Sequence, residues 1–445
     1  MSFPKYDRYK DSGVEWLGEV PEHWDVKRLR FIAMLNPSKS EVSKFDRETV
    51  ISFLPMEAIG IDGTINLEHE KAISEVETGY TFFREGDVTI AKITPCFENG
   101  KGAVMKGLLN GIGFGTTELI VARPETDQTF SEYLHWIFTS APFRNLGESY
   151  MYGAGGQKRV PDDFVQNFSL GLPPLPEQRS IAAFLDRETT KIDELIAEQR
   201  QLIDLLKEKR QAVISHSVTK GLNPDAPMKD SAIEWLGEVP EHWEVRALRT
   251  LSNVVRGASP RPAGDPRFFG GESVPWVTVA EITKDDLSEL VQTEEFLTED
   301  GAQNSRRFRK GTLIYSNSGA TLGVPKILQI DACANDGVVG FEKLNSEINI
   351  FFFYYFLGSI TDSIREKVKQ GSGQPNLNTD IVKAIRLALP PVCEQKFIVE
   401  HIEKMLSEFG FLISETHHAI ALLRERRTAL ISAAVTGKID VCSLV

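Results

Sequence analysis

The chain has 445 residues, 41% apolar and 25% charged, a composition that supports globular cores and excludes a fibrous or wholly disordered polymer. Its net charge of −13 excludes strong unaided adhesion to polyanions, because non-specific phosphate affinity grows with local positive charge. No run of about 18 apolar residues occurs, so no membrane-spanning helix is expected, and four scattered cysteines without a C-x-x-C pair offer neither a disulfide framework nor zinc-ligand spacing.

The opening segment, MSFPKYDRYKDSG, has no apolar signal core, and with reduced thiols this predicts a cytoplasmic protein. Residues 10–30, KDSGVEWLGEVPEHWDVKRLR, then return at 229–249 as KDSAIEWLGEVPEHWEVRALR. Sixteen of the 21 positions agree, so the chain is an internal duplication of two units. Whatever it binds is expected to be met twice, once by each unit. Trp16, Trp24, Trp235 and Trp243 recur at matching places, as a clamp on a shared frame would.

The first variable block, roughly 31–170, reads as a mixed α/β globule. FREGDVTIAKI (83–93) is two strand-like runs entered through a glycine turn, TELIVARP a strand, and FSEYLHWIFTS a buried helix. GAGGQKRV (153–160) is a glycine-rich loop leading towards the segment GLPPLPEQRSI (171–181). There Pro173, Pro174 and Pro176 block helix upstream, and Glu177 sits where a helix dipole favours an acid.

A helix of about 43 residues should follow, spanning about 64 Å, and stopping at Gly221 beside a lysine. Two seven-residue ladders mark its seam: Leu185, Ile192, Gln199, Leu206, Val213, and Ile181, Glu188, Leu195, Leu202, Lys209. The second unit repeats the plan over 250–387: FRKGTLIYSNS (308–318), GVVGFEKL, INIFFFYYFLGSI and QGSGQPNL (370–377) echo the elements of the first. ALPPVCEQKFI (388–398) opens a second long helix ending at Gly437. Its ladders, 217 residues on, are Ile402, Phe409, Thr416, Leu423, Leu430, and Ile398, Met405, Leu412, Ala419, Arg426.

Each long helix starts acidic (Glu177, Asp186, Asp193; Glu394, Glu400, Glu403) and ends basic (Lys207, Arg210; Arg424, Arg427). Antiparallel packing sets unlike ends together, and Gln199 with Thr416 at the same seam position could fix register. No G-x-x-x-x-G-K-[ST] loop or N-P-P-[FY] tetrad is present, and His417-His418 have no evident third ligand, so no catalytic residue and no metal site is expected on this chain.

W-L-G-x-V-P-x-H-W near the start of each unit, and L-P-P-x-x-E-Q-x-x-I opening each long helix, resemble the specificity subunit of type I restriction-modification systems. The likeness covers essentially the whole chain, with Cys393 standing where the first copy has Pro176. The resemblance implies an α+β chain: two mixed α/β target recognition domains in pseudo-two-fold arrangement, joined by a long antiparallel two-helix coiled coil. Expected boundaries are 1–172 and 223–389 for the recognition domains, 173–222 and 390–445 for the helices. It further implies a non-catalytic subunit in which each domain reads half of a split double-stranded DNA site. Two modification (methyltransferase) subunits and the restriction (translocase and nuclease) subunits would dock on it. S-adenosylmethionine, ATP and magnesium belong to those partners.

Base-reading residues should then be Arg, Lys, Asn, Gln, Ser or Thr on loops. In the first block these are Gln157, Lys158 and Arg159 after Gly155-Gly156, and Lys92, Thr94, Asn99 and Lys101 in AKITPCFENGKG. In the second they are Arg306 and Arg307, in a basic run continued by Arg309 and Lys310; Ser316, Asn317, Ser318 and Thr321; Gln374 and Asn376; and Arg256, Arg261 and Arg267 in RGASPRPAGDPRFFGG. A solvated turn or basic surface is the plain alternative for each. A coiled-coil scaffold binding proteins without DNA readout is the competing reading of the whole chain.

Overall fold

A computed structural model describes residues 3–154, 156–319, 321–369 and 377–442. The chain divides into two compact units, Met1–Arg200 with His417–Val445, and Gln201–Thr416. This differs from the division expected from sequence. Each unit takes the start of one long helix and the end of the other, because each frame is closed by residues far away along the chain.

In the first unit, Tyr9–Asp11 pairs with Glu19–Pro21, and Asp25–Arg28 pairs with Ser169–Leu172 just before the helix. The variable block forms two four-stranded sheets. One runs Glu70–Ala72, Val50–Leu54, Ile112–Gly115, Thr81–Arg84, with a parallel pair at its centre; the other runs Ala33–Leu35, Leu119–Pro124, Val88–Ala91, Gly102–Val104. Their alternating apolar side chains build the core, capped by the helix Ser131–Thr139, whose Tyr133, Leu134, Trp136, Ile137 and Phe138 are buried.

The second unit repeats this plan. Its frame strands are Met228–Asp230 with Glu238–Pro240 and Glu244–Ala247 with Arg386–Leu389. The sheet Asn253–Arg256, Val338–Glu342, Leu313–Ser316, Pro325–Leu328, Glu289–Leu290 lies beside Phe296–Leu297, Phe269–Val277, Ala332–Ala334, Arg306–Phe308. The parallel pair recurs between Trp276–Val277 and Cys333–Ala334. Two blocks whose sequences diverged therefore keep the same core strand order, the second adding Glu289–Leu290 parallel to Pro325–Leu328.

The paired motifs explain themselves in the frame. Glu177 Oε1 accepts from Trp24 Nε1 (2.9 Å) and the Tyr6 hydroxyl (2.7 Å), while His23 Nε2 lies 2.8 Å from Oε2. Glu394 holds Trp243 (3.1 Å) and His242 (2.8 Å) in the same way. The next residue is equally fixed. Buried Gln178 donates to the carbonyls of Pro173 and Gln128, and Gln395 to those of Pro390 and Glu347. The glutamate thus ties the tryptophan-bearing hairpin to the helix start, and the glutamine ties the helix start to the incoming loop. The exchange of Pro176 for Cys393 leaves this untouched, since the second helix begins at Val392.

The long helices run Leu175–Lys220 and Val392–Val435, ending on Gly221 and Gly437 at φ +77° and +73°. Gly437 also permits close approach, since a Cβ there would sit 2.4 Å from Pro21 Cδ. Within the first unit, Glu177 and Gly437 both meet Trp24, and farther along Asp193 meets Arg427 at 3.1 Å. Within the second, Gly221 lies against Trp243 and Glu394, and Ile214 and Leu406 join one core. Both pairings are antiparallel.

The first ladder of each helix is buried or half-buried as expected, but the second is so only in part, at Ile181, Glu188, Ile398, Met405 and Ala419. The buried or half-buried seam is Leu185, Thr189, Ile192, Ile196, Gln199, Ile203, Leu206, and Ile402, Leu406, Phe409, Ile413, Thr416, Ile420, Leu423. The expected companions Leu195, Leu202 and Leu412 are exposed. Apolar residues lie on both flanks of the common ladder, so the 3–4 spacing alone did not choose between them. Thr416 gives its hydroxyl to the Leu412 carbonyl of its own helix (2.7 Å) rather than fixing register through it.

Candidate nucleic-acid interface

In the first unit, the two loop clusters singled out in the sequence form one surface. Ile93 and Arg159 form an antiparallel bridge, as do Tyr152 and Arg159. Thr94 N donates to Lys158 O (3.0 Å), Val160 N to Lys92 O (2.9 Å), and Lys92 N to Glu118 O (2.8 Å). Backbone pairing therefore gathers residues 92–94, 118, 152 and 157–160 into one ridge. Gln157 and Lys158 are exposed on it and Lys92 is half-buried, while Asn99 is exposed in the turn that follows residue 94.

Not every candidate is presented outward. The Lys101 ammonium donates to the Met56 carbonyl at 2.7 Å, and the Thr94 hydroxyl is buried without a hydrogen-bond partner. Arg159 makes two parallel bonds to Glu118, Nε to Oε2 at 2.9 Å and Nη2 to Oε1 at 2.7 Å. The Arg159 bond holds the Glu118 carboxyl below its ordinary range, with Lys92 adding to the effect. Glu118 and the exposed Tyr152 were missed in the sequence, because an acid and an aromatic before and after strands carry no signal until the chain folds.

In the second unit, Ser316 and Asn317 are wholly buried. Ser316 accepts from Val324 N and donates to Thr321 O, both 2.9 Å; Asn317 Nδ2 donates to Leu377 O, and Leu377 N to Asn317 O. Both expected contacts are thus turned into the loop, with Asn317 Oδ1 buried and without a hydrogen-bond partner among the described residues, while half-buried Ser318 and exposed Thr321 stay at its surface. Leu377 N donates to Asn317 O as Val160 N donates to Lys92 O, and Asn317 N to Gly337 O as Lys92 N to Glu118 O, so these two backbone bonds recur. Gln374 and Asn376 lie outside the described residues.

The arginines of this unit collect around one edge. Ala258 N donates to Ala334 O, and Arg306 and Arg307 pair with Ala334 and Cys333 along the strand. Arg256 donates to the Asp336 carbonyl and Arg261 lies 3.5 Å from its carboxylate. A Ser259 hydrogen bond, aided by both arginines, holds the Asp336 carboxyl below its usual range. Arg307 is 3.8 Å from Asp331, while Arg267 turns to Asp265 at 2.6 Å and lies over Phe268. Arg306 is exposed, with no ion pair among the described residues.

A family model described as "Type I restriction modification DNA specificity domain" matches residues 240–411. The putative MjaX specificity subunit of Methanocaldococcus jannaschii is 24% identical over 99% of both chains. The chain is thus similar to type I restriction-modification specificity subunits, in the family model over 240–411 and in this relative over nearly its whole length. The EcoAI specificity subunit of Escherichia coli is 47% identical over 42% of this chain and 31% of its own length, so the aligned part spans about a third of that relative. A chain from a solved structure on complex assembly and conformational transition of the type I R-M system shares the fold, with TM-score 0.73 and 20% identity over 94% of this chain and 98% of that one. Among the described residues no cluster of metal-ligating side chains and no helix apolar enough to cross a membrane occurs.

Proposed function

We propose that each unit reads one half of a bipartite double-stranded DNA sequence on behalf of a type I restriction-modification complex, and that the chain supplies recognition without chemistry of its own. The observation that carries this is the pair of divergent blocks with matching strand order: the same two backbone bonds fasten the residue after the strand in each, and each block exposes its own set of cations. Lys92, Asn99, Gln157 and Lys158 serve the first half-site. Arg256, Arg261, Arg306, Arg307, Ser318 and Thr321 serve the second. Several contacts worth about 1–3 kcal/mol each suffice for strict discrimination.

Two adenine methyltransferase subunits and the restriction subunits would dock on the frame and helices, bringing S-adenosylmethionine, ATP and magnesium with them. Support comes from the apolar side chains left exposed on the long helices, among them Leu195, Leu202, Leu205, Phe411, Leu412 and Leu422, which suit protein contact. A scaffold without DNA readout would share that feature but gives no reason for two dissimilar loop clusters. The test is adenine-methylation mapping in cells expressing the chain with co-encoded methyltransferase subunits. A split motif with both halves fixed is expected; methylation without a motif, or protein association without DNA selectivity, would overturn the reading.

A further inference from the structure

The geometry points to Arg159, buttressed by Glu118, as the reader of a guanine in the half-site met by the first unit; this rests on the DNA-reading function proposed above. A guanidinium has two hydrogen-bonding edges. Glu118 occupies the side edge, using Nε and Nη2 of Arg159 at 2.9 and 2.7 Å. The end edge, which carries Nη1 and the second Nη2 proton, remains for a ligand, and Arg159 is only partly covered at 40% side-chain exposure.

That end edge matches two acceptors side by side. In the major groove only guanine presents such a pair, O6 and N7. Phosphate is the poorer partner, because the carboxylate already balances the arginine's charge while leaving its directional N–H groups intact. The neighbouring Lys158 is different: it is exposed, has no ion pair among the described residues, and is suited to a phosphate as a point charge.

Glu118 does more than lower a charge. Its backbone is pinned by Lys92 N donating to Glu118 O and by Glu118 N donating to the Thr116 hydroxyl. Arg159 is pinned in turn by backbone bonds to Tyr152 in both directions, 2.9 and 3.2 Å. Both partners therefore stand on paired backbone, and the fork is oriented before any ligand arrives. Such orientation strengthens base discrimination because less side-chain freedom is lost on contact. Glu118 is a positioning residue, and Arg159 the contact.

The experiment uses the full-length chain co-expressed with its methyltransferase subunits and a pool of randomised duplexes. Wild type should select two half-sites, one containing a guanine whose replacement lowers retention about tenfold to a hundredfold. Arg159→Ala and Arg159→Lys should both lose that preference, and E118Q should weaken it about tenfold, while every other selected base is kept. K158A should lower retention of all duplexes alike without changing the selected bases. The second half-site serves as the folding control, and R159K gives the same readout should R159A fail to fold. Selection of unchanged bases by R159A or R159K, or loss of a base other than guanine, overturns the inference while leaving bipartite reading intact. Failure of wild type to select any split sequence overturns the function itself, and the inference with it.

Discussion

Glu177 concentrates more of the frame than any neighbour, since one carboxylate accepts from Trp24 and Tyr6 and meets His23. Trp24 is wholly buried, so removing its acceptor strands an indole N–H. E177A should cost about 2–4 kcal/mol in denaturant unfolding, whereas H23A, which loses a half-exposed pair, should cost less than about 1 kcal/mol. His135 offers a second test. It is half-buried on the helix Ser131–Thr139, its Nδ1 lies buried with no hydrogen-bond partner among the described residues, and burial, with Arg427 and Lys106 adding to it and Glu132 opposing, pushes it down to about 4. The unfolded chain binds a proton near pH 6.5 that the folded chain refuses until about 4. Stability is therefore fully present above 6.5 and is lost as pH falls towards 4, by about 2 kcal/mol between pH 7 and 5. Unfolding of H135L across that range should lack this slope, and an unchanged slope would remove His135 as its source.

At the scale of elements, the two long helices carry one seam written twice, and the copies differ where it is informative. Arg427 is paired with Asp193. Its counterpart Arg210, 217 residues earlier, has Gly410 at the position that matches Asp193, and no ion pair to Arg210 occurs among the described residues. Gly410 lies exposed inside the helix with open space at its Cβ. G410A should therefore stabilise by about 1 kcal/mol through helix propensity alone. Aspartate is a poorer helix former, so G410D should equal that gain only through a pair with Arg210, and should lose several tenths of a kcal/mol in high salt. Denaturation midpoints of both variants at low and high salt decide the matter.

For the whole molecule, the deciding features are duplication and charge. Both long helices pass unbroken from one unit into the other, so a matched insertion in both is expected to lengthen the unread gap of a split site. Seven residues preserve the heptad and add about 10.5 Å of helix, close to about three base pairs. Methylation mapping should return the same two half-sites with a longer spacer; altered half-sites or lost activity with an intact fold would contradict it. A net charge of −13 means that partner subunits should supply part of the positive field, and the intact complex should bind with a steeper salt dependence than the chain alone.

The duplicated motifs, the two long helices with their glycine stops, the antiparallel order and the kind of protein were legible in the residues themselves, because repetition, proline and glycine signals and charge order act locally along the chain. The choice of flank for the seam was not, since Leu195 and Ile196 are equally apolar and only the opposing helix selects between them. Nor was the joining of 92–101 to 157–159, the pairing of Arg159 with Glu118, or the burial of Ser316 and Asn317. Those depend on strands brought together from distant positions, whose backbone pairing turns some polar side chains into the loop and leaves others to face a ligand.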